Sequence, residues 1–354
     1  MYPPKPVVDG KGSVHLPSMT VPFSSLASTE AKQEFIRARE NLEKVNSDLS
    51  RYSEVSADNI REQRQALIDS FEGTLDRTRA LYPVTQENCV IAGVACEVFT
   101  PRAQGDKTKP RPILINLHGG TFLMGAHLFS ALESIPLASL GGFTVVAVDY
   151  KLGPEHKFPA ATEDVVAVYR QLLKRRDAAE IGIYGCSAGG LLTAQAVALL
   201  CNREIPLPGA VGLFAASACG WAVGDSGSLA MPLSGLVTPA ELLAPPRGEV
   251  CNVSYFSEVD MSDPLALPIR SDAILQRFPP TLLMTSTRDP ALSGAAHTHA
   301  QLTRLGVEAA LHVWDGLPHS FFAVSPDLPE TLQAWTTSKN FFERHLGARG
   351  QPRE

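Results

Sequence analysis

No run of about 18 apolar residues occurs anywhere in the chain, so the sequence offers no helix able to span a bilayer. The opening segment, MYPPKPVVDGKGSVHLPSM, lacks the continuous apolar stretch of an export signal and reads as an unprocessed chain of the cytoplasm. Basic blocks are also missing. With 31 Lys+Arg against 37 Asp+Glu and a net charge of −6, the chain presents no electrostatic footprint for nucleic acid. Six cysteines, at 89, 96, 186, 201, 219 and 251, form no C-x-x-C pair and stand at no zinc-ligand spacing with the nine histidines. Structural zinc is therefore disfavoured, and reduced, mostly buried thiols are expected for all but Cys186, whose neighbours set it apart. There is no internal repeat and no low-complexity tract.

What remains is the composition of an ordinary globular protein, 44% apolar and 19% charged over 354 residues. That length predicts about two domains, or a single α/β body with an inserted lid. Residues 1–28, rich in Pro, Ser and Gly, read as an irregular arm. From Thr29, Phe35, Ala38, Leu42, Val45 and Leu49 fall on one stripe of a helix. A second helix is expected from Asn59, where Asn59 and Glu62 have capping-box spacing and Ile60, Leu67, Phe71 and Leu75 continue the stripe toward Pro83. Beyond residue 88 the texture changes to short apolar runs, VACEVF, PILINL, FTVVAV, IGIYG, AVGLFA, TLLMTS and VEAALHVW, with helical patterns between most of them. Such alternation predicts the α/β class, a mostly parallel central sheet flanked by helices. Between Ser217 and about Pro264 a Gly-, Ser- and Pro-rich excursion breaks the pattern, as a lid or binding loop does.

The strongest chemical signal is IGIYGCSAGGLLTAQAVALL. A β-branched strand runs into G-x-S-x-G at Gly185, Cys186, Ser187, Ala188 and Gly189, and a helix follows. That context makes a nucleophile elbow, a strand-to-helix turn so tight that small residues must flank the serine by two on either side. The Ala188 N–H, at the helix start, faces the reacting centre. Upstream, ILINLHGG ends an apolar strand at His118, Gly119 and Gly120, where two glycines leave backbone N–H groups accessible as an oxyanion hole requires; His118 is expected to brace that loop. The partners must follow in the order serine, acid, histidine. Asp289 lies just past the TLLMTS strand, and His319 lies just past the next one. His297, His299, His312 and His345 fall within a predicted strand or helices and read as structural or surface residues.

Together HGGTF, VDYKLGPEHKFPAATED, GCSAGG, Asp263-Pro264, Asp289 and PHSFF resemble the hormone-sensitive lipase family of α/β hydrolases, including the bacterial family IV esterases, over about residues 88 to 346. The resemblance implies the α/β-hydrolase fold, a Ser187, Asp289 and His319 triad, and an oxyanion hole of the Gly119, Gly120 and Ala188 N–H groups. It also implies a cap over the acyl pocket. On that basis the catalytic core is expected at 86–216 and 261–354, with cap segments at 1–85 and 217–260. Two positions depart from the family pattern: Thr121 stands where a third glycine is common, and Cys186 where Asp or Thr is common. Neither supplies a triad atom.

The expected activity is hydrolysis of short-chain carboxylic esters through an acyl-enzyme, with a small-molecule ester as partner, no metal or organic cofactor, and self-association left open. Lactones, carbamates and amides share the first chemical step. A non-catalytic small-molecule receptor on the same scaffold, as in the plant gibberellin receptors that resemble this family, is the reading from a different class; such a receptor can lose its histidine, and His319 is present.

Overall fold

The structure, a computed structural model, describes residues 6–16, 20–38, 59–102, 111–234 and 254–346. The expected stripe positions Leu42, Val45 and Leu49 lie outside the described residues, as does Cys251. Within the N-terminal arm two short strands, β1 (Val7–Val8) and β2 (Val14–His15), pair antiparallel, a local departure from an irregular arm. Residues 29–38 are helical (α1), as the stripe beginning with Phe35 requires.

The long amphipathic helix α2 (Ile60–Leu81) buries Ile60 and packs the Phe71 ring against Phe129. Its N-cap is Asn59, but the Asn59 side chain makes no capping hydrogen bond, so the expected capping box does not form. After Pro83 the chain enters the main sheet earlier than the apolar runs announced, through β3 (Val84–Ile91) and β4 (Val94–Pro101). The other strands are β5 (Ile113–Leu117), β6 (Thr144–Val148), β7 (Ile181–Cys186), β8 (Ala210–Phe214), β9 (Thr281–Arg288) and β10 (Ala309–Pro318). Helices α3 (Leu128–Gly141), α4 (Ala160–Leu173) and α5 (Ala188–Asn202) connect β5 through β8.

The eight strands lie in the order β10-β9-β8-β7-β5-β6-β4-β3. Those from β10 through β6 run parallel, and β4 and β3 close one side antiparallel. Strands β5, β7 and β8 are buried at every residue, as continuous aliphatic runs with helices on both faces must be. Helix α5, which follows β7, is buried from Ala188 through Cys201; its sequence has no polar face because it is enclosed by the sheet and its neighbours. The closing helix Pro329–His345 covers the opposite face through Trp335, Phe341 and Phe342.

The N-terminal arm is fastened to the β9–β10 side. The Ser28 N–H and hydroxyl both donate to Glu330, Ser24 Oγ donates to Asp315, and the Arg288 guanidinium sits 4.9 Å over each of the Phe23 and Phe35 rings. Among the described residues no helix is long and apolar enough to cross a membrane. The C-terminal ends of β5, β7, β9 and β10 share one edge of the sheet, and in parallel α/β sheets that edge is where ligands bind.

Candidate active site

At the end of β7 the chain reverses into α5 within one residue, Ser187, at φ 54° and ψ −120°. A non-glycine residue with positive φ is strained, and the turn is held by Ser187 N–H donating to the Phe214 carbonyl at 2.8 Å. Crowding explains the flanking glycines. A Cβ on Gly189 would stand 1.7 Å from the Leu117 carbonyl oxygen, and one on Gly185 would stand 2.4 Å from the Gly189 backbone. The serine is thus pushed out over the sheet edge by a turn that only small neighbours permit.

His319 follows β10 and lies 2.9 Å through Nε2 from Ser187 Oγ. On its other side Nδ1 stands 2.7 Å from Asp289 Oδ1. The Asp289 carboxylate is fully buried and accepts from Thr285 Oγ1 and from the Ala291 N–H, each at 2.9 Å, so its orientation is set independently of the imidazole. Asp263 instead accepts the Leu265 N–H in a turn, and Asp315 belongs to β10 itself, bonded to Ser24. Three side chains from three strand ends therefore form one hydrogen-bonded line, the geometry of a nucleophile, a base and an orienting acid.

Beside Ser187 the loop after β5 is braced at consecutive backbone atoms. Tyr150 Oη donates to the His118 carbonyl at 2.6 Å, and His118 Nδ1 lies 2.7 Å from the Gly119 carbonyl with its ring stacked on Tyr150. Burial pulls the His118 imidazole down to about 4, so it is neutral with the proton on Nδ1. The Gly119 N–H, expected as an oxyanion donor, is already given to Glu133 Oε1 at 2.9 Å. The next two amides, of Gly120 and Thr121, carry no hydrogen bond among the described residues, and both residues line the cavity with Ala188. Gly120, Thr121 and Phe122 all have positive φ, which accounts for a glycine being the usual occupant where Thr121 stands.

A family model described as the alpha/beta hydrolase fold matches residues 114–323. The chain belongs to this family. An acetyl-hydrolase of Streptomyces hygroscopicus is 28% identical over 66% of this chain and 76% of its own. An ethyl acetate hydrolase of Pseudomonas putida is 25% identical over 69% and 76%. Among solved structures, an esterase superposes with a TM-score of 0.74 at 31% identity, covering 95% of this chain and 99% of its own. An esterase from the bacterial hormone-sensitive lipase family gives 0.71 at 26% identity, covering 90% and 99%. The α/β hydrolase is accordingly a carboxylic-ester hydrolase of the hormone-sensitive lipase type.

The hydrolase's cavity, about 310 Å³, opens over Ser187 and is walled by Leu67, Met124, Phe129, Leu191, Trp221 and Val324. Leu67 comes from α2 and Trp221 from the excursion after Ser217, so residues far apart in the chain share the cavity wall. The Trp221 ring meets His319 edge-on at 5.8 Å. Cys186 is buried, its thiol pushed well up by desolvation, and its Sγ lies 2.9 Å from Ser320 Oγ. It ties the elbow to the residue after His319 at the cavity wall, and a thiol kept neutral by burial is a poor nucleophile. Sequence reasoning missed Glu133 and Tyr150. Glu133 sits in the apolar helix pattern FSALESIPLASL, and its charge amid aliphatic residues was the one available signal.

Proposed function

We propose that the protein is a serine carboxylesterase acting on short-chain esters through an acyl-enzyme. Ser187 Oγ attacks the ester carbonyl while His319 takes its proton, and Asp289 holds the imidazolium. The carbonyl electrons move to oxygen, and the Gly120, Thr121 and Ala188 N–H groups stabilise that charge. Collapse expels the alcohol, protonated by His319, and water activated by the same base releases the acid. The hydrogen-bonded line from Ser187 through His319 to Asp289 carries this reading. No step needs a metal or an organic cofactor.

The preference for short acyl chains rests on the cavity. A volume of about 310 Å³ with aromatic walls lies at the small end of ligand pockets, and the acetyl-hydrolase and ethyl acetate hydrolase relatives act on small esters by name. We assign the cap to α2 and the segment after Ser217, with the core as the sheet and its helices. The reduced thiols of Cys89, Cys96, Cys186, Cys201 and Cys219 suit the cytoplasm, and the reading needs no nucleic acid, membrane or second subunit.

A rate series on nitrophenyl esters from acetyl to palmitoyl tests the reading, with Ser187→Ala as control. The expected optimum lies at short chains, and Ser187→Ala loses on the order of 10⁴-fold or more. Turnover by folded Ser187→Ala protein would refute the mechanism, and an optimum at twelve carbons or longer would refute the small cavity.

A further inference from the structure

A buried carboxyl group with no role in proton transfer stands beside the reacting centre. Glu133 lies on α3, 1% exposed, under the loop after β5. Its Oε1 accepts the Gly119 N–H at 2.9 Å and its Oε2 accepts Asn116 Nδ2 at 2.9 Å. Its own backbone carbonyl accepts Tyr184 Oη at 3.0 Å. Gly119 in turn lies against the elbow, where a Cβ would stand 3.4 Å from Glu133 Oε1 and 3.5 Å from Ser187 Cβ. The carboxyl therefore bridges strand β5, the oxyanion loop and the helix behind them.

We propose that Glu133 is a positioning residue for the oxyanion hole: by taking the Gly119 N–H it fixes the peptide that precedes the Gly120 and Thr121 donors. The inference rests on the serine-esterase reading above. Three observations support it. The loop has positive φ at Gly120, Thr121 and Phe122, a conformation that persists only where its surroundings hold it. His118 and Tyr150 hold the Gly119 and His118 carbonyls, and among the described residues Glu133 alone holds the adjoining Gly119 N–H. Desolvation pushes the Glu133 carboxyl up to about 8, so near neutrality it accepts these bonds without placing a full negative charge beside a developing oxyanion. A glutamine has the same length and an acceptor oxygen, whereas an aspartate draws that oxygen back by one methylene.

The experiment measures kcat and KM on nitrophenyl acetate for wild type, Glu133→Asp and Glu133→Gln. It also measures inhibition by a short alkyl trifluoromethyl ketone. Ser187 adds to that ketone, its proton passing to His319 and the carbonyl electrons to the oxygen held in the hole. Removing one oxyanion donor costs about 10²–10³ in kcat, so a displaced one should cost at least about tenfold. Glu133→Asp is expected to lose that in kcat with KM within about twofold, and to lose affinity for the ketone in parallel with kcat/KM. Glu133→Gln is expected to restore both to within about threefold. Wild-type kcat and ketone affinity in Glu133→Asp would overturn the proposal, as would a loss confined to KM. A folded Glu133→Gln protein with kcat down a hundredfold would overturn it whatever Glu133→Asp does. A wild-type protein inert to both ester and ketone would bring down the esterase reading itself, and this inference with it.

Discussion

Asp315 bonds to Ser24 of the N-terminal arm, although it stands only four residues before His319 in the chain. The Ser24 hydroxyl holds the Asp315 carboxyl below the usual range, with Thr287 assisting. Asp289, from a neighbouring strand end, faces the imidazole instead. Asp289→Asn should therefore cost several orders of magnitude in kcat, near the 10⁴ or so found when a serine protease loses its acid. Asp315→Asn and Asp263→Asn should stay within about tenfold of wild type once folding is checked. Steady-state kinetics on the three purified variants decide, and a crippled Asp315→Asn beside an active Asp289→Asn would reverse the assignment.

Cys186 should be chemically quiet. Its thiol is buried and held neutral by desolvation, and the Glu133 carboxyl nearby pushes it further up. Iodoacetamide at pH 8 should leave activity intact, and Cys186→Ala should keep its turnover within about an order of magnitude, the loss tracing to the missing Ser320 contact. Substrate-protected inactivation that disappears in Cys186→Ala would show a reactive thiol.

Glu133 and His118 give opposite slopes to stability against pH. Glu133 titrates at about 8 in the fold and near 4.5 unfolded, so the folded state holds its proton longer and stability falls as pH rises between those values. His118 titrates at about 4 in the fold against 6.5 unfolded, so stability rises with pH from about 4 to 6.5. Each slope is about 1.4 kcal/mol per pH unit at most, and the two offset each other between 4.5 and 6.5. Tyr150, Tyr184 and Cys186 beside Glu133 are pushed upward and stay neutral over this range, while His127 and Glu97, which act on His118, are common to both proteins and drop out of the comparison. Relative to wild type, Glu133→Gln should lose stability more steeply from pH 6.5 to 4.5. Urea midpoints at half-unit pH steps measure it, and parallel curves would contradict the assigned shifts.

Gly189 and Gly142 should respond very differently to alanine. At Gly189 the new Cβ would collide with the Leu117 carbonyl at 1.7 Å, whereas at Gly142 it meets nothing within 4 Å and only the φ of +66° is strained. Gly142→Ala should cost roughly 1–2 kcal/mol. Gly189→Ala should exceed about 4 kcal/mol or fail to fold, as overpacking against backbone does. Thermal melts of the pair suffice, and a mild Gly189→Ala would mean the elbow is looser than its contacts indicate.

The middle of the sheet was legible because β5, β7 and β8 are buried on both faces and so must be aliphatic throughout. Strand β3 was not, since an edge strand half in water reads VTQENCVI, polar enough to pass for a loop. That Ser187, Asp289 and His319 would meet could be read from chain order, because a strand end fixes where each side chain emerges. That the Gly119 N–H is engaged by a carboxyl could not be read in advance, because its acceptor lies on a helix whose facing only the packed structure shows. The capping box at Asn59 illustrates the converse: the spacing was present and the bond was not.

Ser187 and His319 are 132 residues apart, and the N-terminal arm is pinned by Ser24 and Ser28 to Asp315 and Glu330, 291 and 302 residues downstream. During synthesis the arm leaves the ribosome ahead of the sheet and finds its anchorage last, since loop closure over such separations must wait for β10 and the closing helix. A nascent chain halted before β10 would carry Ser187 with neither His319 nor the dock for the arm. Assembly of the hydrogen-bonded line is in that sense contingent on β10, the strand that delivers His319.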